Sequence, residues 1–376
     1  MKKPILWIVV AVLAVASLIF VNRPKDQDAG IAQKAEIKIG MAAALSGPVS
    51  FWAESVLQGM QLATNEHNAV HPEQPVTIIY EDNGGEAKNQ IAAMRKLCTS
   101  DQVSCVVSVL TPYSKPIRPL AEQFKTPLLG TVVASLNFGL ENEWCFRDYP
   151  TPDQLAARMA DHAYEKLGFR KAVSLVVNDE YGTDSLKVFQ RSFEDKGGKF
   201  LGSDTVMQTD TDMRAQVTSL LQTDPDCVFL VIRENALGTA VRQFRELGFT
   251  GQILGINAFD SPVVWEACGP YSEGIQFTSV LIDYDNNPDA IAFLAAFRKQ
   301  YGKEPMHTHA YGYSIAKYLI PLAAKAEGNG NEMKNLLAHL ETDSVRGKIK
   351  MAPSRDVLSG VAIYQRIVDK NVIIEE

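Results

Sequence analysis

Several loops of the sequence place hydroxyl, amide, aromatic and charged side chains directly after apolar runs that are typical of β-strands. The residues concerned are Ser46 with Trp52, Thr111–Ser114, 131–135, 178–181, Arg233 with Glu234, and 257–260. If the strands are parallel, these loops meet at one edge of a sheet, where α/β proteins usually bind their ligands. Convergent polar groups on apolar walls are typical of a pocket for a small molecule.

The same residues do not indicate covalent catalysis. Ser46, Ser50 and Thr111 could be nucleophiles, but no histidine occurs in a strand-end loop to act as their base. His307 and His309 lack a nearby carboxylate or cysteine cluster, so we expect surface or capping histidines rather than metal ligands. The sequence therefore predicts no enzyme, no metal and no cofactor.

The first of these loops belongs to a strand–loop–helix unit. An apolar run at 37–43 predicts a strand, a Ser-Gly-Pro turn follows, and a helical pattern continues to residue 68. Phe51 and Trp52 are large apolar side chains in a loop that would ordinarily be polar. They either staple the start of the helix to the core or form a wall of a ligand pocket, and their spacing alone favours the staple.

Apolar runs alternate with helical patterns along most of the chain, which predicts parallel sheets covered by helices on both faces. At 376 residues the chain is long for one core. The alternation restarts at residue 153, after a Tyr-Pro-Thr-Pro linker at 149–152. The predicted fold class is α/β, with two doubly wound domains. The C-terminal segment 347–374 is predicted to form short strands that could cross back between them.

The N-terminus has the pattern of an export signal. Lys2 and Lys3 precede an uncharged apolar run at 5–21, which is also at the short limit of a membrane span. A cleaved signal peptide and an uncleaved inner-membrane anchor both remain open, with 22–35 as a linker. Either alternative predicts a periplasmic or cell-surface protein. The net charge of −7 provides no basic field for nucleic acid.

Export would permit disulfide bonds between some of the five cysteines. Cys98 is predicted to end a helix and Cys105 to open a strand, with a short polar loop between them. These two cysteines could therefore form a disulfide. An odd total leaves at least one free thiol, and the pairing cannot be deduced from the sequence.

The order of these elements resembles the type 1 periplasmic-binding-protein family, best known from the leucine/isoleucine/valine (branched-chain amino acid) binding proteins of ABC transporters. The similar stretches are IKIGMAAALSGPVSFWAESVLQGMQLATNEHN, EDNGGEAKNQIAAMRKL, CVVSVLTPYSKPIRPLAEQFKTPLLG, VNDEYGTDSLKVFQRSFEDKGGK, DPDCVFLVIRENALGTAVRQFRELGF and YGYSIAKYLIPLAAKAEG. The resemblance implies two doubly wound lobes joined by three crossovers. Lobe 1 would comprise 36–150 with 281–346, and lobe 2 would comprise 151–280 with 347–376.

The resemblance also implies a ligand site between the lobes. The family's aromatic pocket wall matches Trp52, which favours a ligand contact there and leaves the staple to Phe51. The family's contacts for a ligand α-carboxylate match the loop at Thr111 and, opposite it, 131–135; a tyrosine before a glycine matches Tyr181. The predicted ligand-binding residues are Ser46, Trp52, Thr111, Pro112, Tyr113, Thr131, Ala134, Tyr181, Arg233, Glu234, Asn257 and Asp260.

One position departs from the family pattern. The acidic residue that holds a ligand ammonium falls near Asn257, so this anchor is missing unless Glu234 or Asp260 replaces it. A buried ammonium needs a charged partner, and an amide suits a neutral or carboxylate ligand better. Arg233 would hold a carboxylate if it faces the cleft. In the alternative, Arg233 points outward and Glu234 inward, because adjacent strand residues point opposite ways.

These patterns predict an exported solute-binding protein that closes two lobes on a small polar ligand and delivers it to the permease of an ABC-type importer. An amino acid is the family's default ligand, and an organic acid or an amide is the competing class. The alternative function is a membrane-tethered ligand sensor or scaffold that uses the same fold.

Overall fold

The structure is a computed structural model that describes residues 34–47, 49–135, 137–140, 142–367 and 370–375. The predicted signal or anchor segment at 1–21, and most of the predicted linker, lie outside these described residues. Within the described part of the chain, no helix combines the length and apolarity needed to cross a membrane. The chain forms two lobes, each built around a largely parallel sheet.

The first lobe contains a five-stranded parallel sheet with strand order β2-β1-β3-β4-β5. Its strands are β1 Ile37–Ala43, β2 Val76–Asp82, β3 Val106–Val109, β4 Leu128–Thr131 and β5 Cys145–Arg147. The central strands consist of buried residues because helices cover both faces of the sheet. These helices are α1 Ser50–Val70, α2 Ala87–Lys96 with a π-helical extension Leu97–Asp101, α3 Thr111–Ser114, and α4 Arg118–Phe124.

The second lobe repeats this architecture. Its parallel strands are β6 Lys171–Val177, β7 Lys199–Val206, β8 Cys227–Val231, β9 Gln252–Ile256 and β10 Gln276–Val280. The covering helices are α5 Pro152–Asp161 with a π-helical extension His162–Lys166, α6 Glu180–Asp195, α7 Arg214–Leu221, α8 Glu234–Glu246 and α9 Pro262–Cys268.

After β10 the chain returns to the first lobe and then crosses once more. The returning elements are α10 Pro288–Tyr301, α11 His307–Ala326, α12 Gly330–Ala338 and a small sheet of β11 Glu341–Ser344, β12 Gly347–Met351 and β13 Val357–Leu358. The hairpin of β14 Val361–Ile367 and β15 Lys370–Glu375 then joins β10 in antiparallel pairing. The chain therefore passes between the lobes near residues 148–151, 281–287 and 359–360.

Helices α1 and α11 pack against each other at unusually close range. A Cβ atom at Gly59 would lie 2.0 Å from the backbone oxygen of His309, and one at Gly312 would lie 2.0 Å from that of Val56. The absence of side chains at these two glycines lets the helix backbones touch. This contact holds the first turn of α11, which begins at His307, close to the first turn of α1.

Two consecutive buried residues tie the first crossover to the first lobe. The Asp148 carboxylate accepts two hydrogen bonds from the Arg346 guanidinium, at 2.8 and 2.7 Å, and one from the Tyr318 hydroxyl at 2.9 Å. Arg147 forms a second buried ion pair with Asp356, at 2.8 Å. The Asp148 and Arg346 side chains are fully buried, so each compensates a charge that would be costly to bury alone.

Capping side chains explain where the helices beside the cleft begin. Thr151 and Gln154 each accept a hydrogen bond from the other's backbone N–H, which forms a capping box at the start of α5. The Asp179 carboxylate accepts from the Gly182 N–H at 3.1 Å. Helix α6 therefore begins at Glu180 and includes Tyr181 in its first turn. The sequence pattern predicts a later start, at Asp184, with Tyr181 in the preceding loop.

The predicted fold class, with two doubly wound lobes joined by three crossovers, is confirmed, but the structure differs from the prediction at several places. The segment 136–148, which the sequence pattern predicts to be a loop, contains β5. The predicted second-lobe segment starting at 347 divides instead: Ile349, Met351 and Val357 pack in the first lobe's core, and only β14 and β15 join the second sheet. All five cysteines are free thiols, so the predicted disulfide between Cys98 and Cys105 is not formed.

Candidate functional site

A cavity of about 350 Å³ lies between the lobes at the carboxyl ends of the parallel strands. It combines polar groups with apolar surface, and its size is in the range of small-molecule pockets. The first lobe contributes Thr111, Pro112, Lys115 and Pro116, and the second lobe contributes Asp179, Glu180, Tyr181 and Arg233. Thr111, Pro112, Tyr181 and Arg233 are among the predicted ligand-binding residues.

The first-lobe wall is organised around the Thr111 hydroxyl. Thr111 opens α3 directly after β3, and its Oγ1 accepts a hydrogen bond from the Ala134 N–H at 3.0 Å. The segment after β4 therefore lies beside Thr111, and its role as a second ligand contact stays a prediction. Thr131 does not reach the cavity: it is fully buried, and its hydroxyl donates to the Asp148 carbonyl at 3.0 Å. Thr131 thus supports the first crossover.

The second-lobe wall is organised around Arg233. Its Nε and a terminal nitrogen lie 3.3 and 3.1 Å from Asp179 Oδ2, and its guanidinium lies 4.5 Å from the centre of the Tyr181 ring. Of the two alternatives left open by the sequence, Arg233 facing the cleft is the one observed, because its side chain lines the cavity. The Glu234 side chain lies outside what the structure describes.

An ion pair joins the two walls at the cavity. The Lys115 ammonium of the first lobe contacts the Glu180 carboxylate of the second lobe, and both side chains are about half exposed. Because the partners belong to different lobes, this contact can exist only when the lobes are close together. The acidic groups that line the cavity, Asp179 and Glu180, are thus each paired with a basic residue.

A second group of residues lies in a buried cluster at the lobe interface, which we call the deep cluster. It joins three predicted residues, Trp52, Asn257 and Asp260, with Tyr149 and His307. The Asn257 amide nitrogen donates to the Tyr149 hydroxyl, which lies 3.3 Å from His307 Nε2. His307 Nδ1 lies 3.4 Å from Asp260 Oδ2, and this oxygen also accepts from the Ser279 hydroxyl. The Asn257 Oδ1 is buried and has no hydrogen-bond partner among the described residues.

Burial changes the proton affinity of this cluster. Burial raises the pKa of Asp260 to about 7, against the lowering effect of the hydrogen bond from Ser279. Burial lowers the pKa of His307 to about 4, so its imidazole is neutral at neutral pH. The pKa of Tyr149 lies well above its usual value, mainly because the phenol is buried.

Trp52 is 6% exposed and packs within the apolar core of the first lobe. Its ring centre lies 5.9 Å from that of His307 and 5.6 Å from that of Phe51. Phe51 is more exposed and packs against the same core. Trp52 therefore reaches the lobe interface through His307, and its role as a direct ligand contact stays a prediction.

Two further predicted residues lie away from the deep cluster and do not line the cavity. Ser46 is exposed, and its backbone N–H donates to Asp82 Oδ1 at 3.2 Å. Asp82 accepts three such backbone N–H groups, so it orders the loop after β1. Tyr113 is half buried and packs on the first lobe's core.

The sequence interpretation did not include Tyr149 or His307 in the site. The sequence pattern places Tyr149 in a linker and predicts a surface or capping role for His307, but both side chains are buried. The expected capping role belongs to His309, whose Nδ1 accepts from the Met306 N–H at 2.9 Å, although this histidine is buried too. The described residues contain no group of three or more His, Cys, Asp or Glu arranged to hold a metal.

Comparison with known proteins is consistent over nearly the whole chain. A family model described as "Periplasmic binding protein" matches residues 36–369. Leu/Ile/Val-binding protein homolog 3 of Brucella melitensis is 26% identical over 336 residues, which span 86% of this chain and 89% of that protein. The family match spans the two lobes and all three crossovers.

Solved structures show the same fold. The branched-chain amino acid transporter substrate binding protein LivJ from Streptococcus pneumoniae, in complex with isoleucine, superposes with a TM-score of 0.82 at 22% identity, covering 91% of this chain and 100% of that one. A solute binding protein of an ABC transporter from Rhodopseudomonas palustris, in complex with 4-hydroxybenzoate, superposes with a TM-score of 0.81 at 20% identity, covering 91% and 96%. At these identities the likeness shows the fold.

Proposed function

Because the chain belongs to the periplasmic binding protein family, we propose that it captures a small carboxylate that carries no ammonium group and delivers it to an ABC-type importer. Family membership confirms the prediction of a solute-binding protein rather than an enzyme. The ligand class and the importer are parts of our proposal. The ligand would bind between the lobes, with its carboxylate at the Thr111 wall and its apolar body beside Tyr181.

The chemistry of Asn257 carries the proposal. An ammonium group removed from water needs an ionised partner, because an unpaired buried charge costs several kcal/mol or more. Position 257 offers a neutral amide, whose buried Oδ1 has no hydrogen-bond partner among the described residues. A buried acceptor without a donor costs about 1–3 kcal/mol. A ligand hydroxyl or N–H would supply that donor without adding a charge.

The charges that line the cavity favour the same ligand class. Asp179 and Glu180 are compensated by Arg233 and Lys115, so neither carboxylate is left to hold an ammonium. The Thr111 Oγ1 accepts from the Ala134 N–H, which leaves its hydroxyl proton to donate to a ligand carboxylate. An aromatic acid with a ring hydroxyl, such as 4-hydroxybenzoate, has a carboxylate for Thr111 and a donor for Asn257.

An amino acid is the second candidate. Proteins similar to this chain are described as Leu/Ile/Val-binding, and one similar structure holds isoleucine. Asp260, three positions from Asn257, could supply the negative charge if a ligand ammonium displaced its proton. The sensor or scaffold alternative depends on residues 1–21, which lie outside the described part of the chain.

A thermal-shift panel tests the proposal. The full chain would be heated with benzoate, 4-hydroxybenzoate, succinate, leucine, isoleucine and glutamine. A ligand at a hundredfold excess over its Kd should stabilise the fold by about 2.7 kcal/mol, and we expect this from the aromatic acids. Thr111→Val should reduce the shift. Thr99→Val, at an exposed position of the π-helical extension of α2, should leave it unchanged. A response to amino acids alone would overturn the proposed ligand class.

A further inference from the structure

Asp260 and His307 are titratable groups that face each other across the two lobes. Asp260 follows β9 of the second lobe, and Ser279 of β10 donates to its Oδ2. His307 is the first residue of α11 in the first lobe, with its Nδ1 3.4 Å from the same oxygen. Only 6% of the His307 side chain and 15% of the Asp260 side chain are exposed.

Hydrogen-bond directions around the deep cluster decide where the His307 proton lies. The Asn257 amide nitrogen can only donate, so the Tyr149 oxygen accepts from it. The other partner of the Tyr149 hydroxyl is His307 Nε2, and we assign the tautomer in which this nitrogen accepts the phenol proton. A neutral imidazole that accepts at Nε2 carries its proton at Nδ1, where it faces Asp260. The hydrogen bonds thus run from Asn257 through Tyr149 to His307. His307 Nδ1 is buried 3.4 Å from Asp260 Oδ2 and forms no hydrogen bond among the described residues.

From this arrangement we propose that Asp260 and His307 form a proton-compensating pair at the lobe interface. When the folded chain buries both groups, the proton gained by the carboxylate balances the proton lost by the imidazole. The number of bound protons then stays constant over the mildly acidic range. An exported protein meets an external pH that the cell does not buffer, and this pair would remove one source of pH sensitivity from its stability.

The two titrations have opposite signs. The pKa of Asp260 is raised from an ordinary 3.8 to about 7, so its contribution to stability is complete below 3.8 and is lost as pH rises towards 7. The pKa of His307 is lowered from 6.5 to about 4, so its contribution is complete above 6.5 and is lost as pH falls towards 4. Between about pH 4 and 6.5 the two slopes cancel.

Burial is the first cause of each shift, so each should persist when the partner is replaced. The phenols around the pair do not titrate in this range, because burial raises their pKa values. Burial lowers the pKa of His309 to about 3, but this histidine is present in every variant and drops out of a comparison. The uncharged titratable groups near the pair are thus Tyr149, Tyr284, Tyr311 and His309. The charged groups are Asp283, Asp285 and Lys370, which line the same cavity edge as the pair.

Single and double variants test the pair without any ligand. Asp260→Asn, His307→Gln and the double variant of the full chain would be unfolded with urea between pH 4 and 7.5. Relative to the parent chain, the unfolding equilibrium constant of Asp260→Asn should rise by up to about tenfold per unit as pH falls below 6.5. For His307→Gln it should rise by a similar factor as pH increases from 4 to 7. The unfolding equilibrium constant of the double variant should change with pH in the same way as that of the parent chain.

The opposite signs make the outcome decisive. Asp285→Asn is the control, because it removes an exposed carboxylate from the same cavity edge. The pH dependence of its unfolding equilibrium constant should be that of the parent chain. The proposal would be overturned if the unfolding equilibrium constants of both single variants changed with pH as that of the parent chain does. It would also be overturned if both constants departed from the parent's pH dependence in the same direction. If Asp260→Asn did not fold, the slope of His307→Gln would decide alone. A failure here would leave the proposed ligand class untouched, because no ligand enters the measurement.

Discussion

The Asn257 amide nitrogen donates a hydrogen bond to the Tyr149 hydroxyl, and this bond joins the end of β9 in the second lobe to the first crossover. The position that governs the proposed ligand class is therefore also a contact between the second lobe and the first crossover. Its nitrogen is used by the protein, and its buried oxygen has no partner among the described residues. A ligand that donates to this oxygen would stabilise the arrangement in which the lobes are together.

Asn257→Asp should change which ligands bind. The substitution places a carboxylate where the proposed ligand presents no positive charge, so the affinity for an aromatic acid should fall by about tenfold or more. An amino acid ammonium would gain a charged partner, so a response to leucine should appear or increase. Isothermal titration with 4-hydroxybenzoate and leucine measures both effects.

Asn335→Asp is the matched control for this change, because it adds the same charge at an exposed position of α12. It should leave both affinities within about twofold of the parent. If Asn257→Asp bound 4-hydroxybenzoate as well as the parent chain does, position 257 would not contact the ligand.

Much of the fold could be predicted because its strands are continuous apolar runs bounded by turn residues. The sequence pattern predicts strands at 37–43, 199–206 and 252–256, and these are the bounds of β1, β7 and β9 in the structure. Strand β5 was missed because it has three residues, one of them the charged Arg147. The burial of Arg147 depends on its ion pair with Asp356, which is 209 positions away in the sequence. A local sequence pattern cannot predict such a pairing.

The candidate site was predictable where it follows the strands and unpredictable elsewhere. Thr111 and Arg233 come at or soon after strand ends, so the rule for parallel sheets identifies them. Tyr149 and His307 come from a crossover and a helix start, and their contact joins residues 158 positions apart. The close approach of α1 and α11 brings His307 to the interface, and local sequence gives little sign of that packing.

Lys115→Gln should weaken ligand binding only slightly. The Lys115–Glu180 pair crosses the cleft, but both side chains are about half exposed, and such pairs contribute about 0–1 kcal/mol. We expect an affinity loss of less than about fivefold at low ionic strength, with a smaller loss at about 0.5 M salt because of screening. Fluorescence titration with 4-hydroxybenzoate at the two salt concentrations measures it.

Lys88→Gln provides the comparison, since it removes a surface lysine paired with Glu86 at 3.4 Å outside the cleft. It should not change the affinity. A loss above about thirtyfold in Lys115→Gln that persists in salt would instead mean that Lys115 holds the ligand itself.

Arg346→Met should destabilise the whole chain. It leaves the fully buried Asp148 carboxylate with the Tyr318 hydroxyl but without its cation, and such a loss typically costs about 3–5 kcal/mol. Urea unfolding at neutral pH measures the change. The double variant with Asp148→Asn should recover part of it, because the uncompensated charge is then removed.

Arg298→Met is the surface counterpart of this variant. Arg298 also makes a two-point contact with a carboxylate, Glu304, at 2.8 and 2.9 Å, but both side chains are more than half exposed. Its loss should cost less than about 1 kcal/mol. Equal effects at Arg298 and Arg346 would show that burial of the Asp148 pair does not determine its importance.

Gly59→Ala should damage both stability and ligand binding, because it forces α1 away from α11. The new Cβ would lie 2.0 Å from the His309 backbone oxygen and 2.7 Å from the Tyr313 backbone nitrogen, and neither atom can move without its helix. Such overpacking costs about 1–3 kcal/mol or more. Because α11 also carries His307, the ligand-induced thermal shift should fall along with the melting temperature. Asn65→Ala is the control, at an exposed position of the same helix. It should change the free energy of unfolding by less than about 1 kcal/mol, the range of helix propensity, and should leave the ligand-induced thermal shift unchanged. A Gly59→Ala chain with the parent's melting temperature would show that the two helices can separate at little cost.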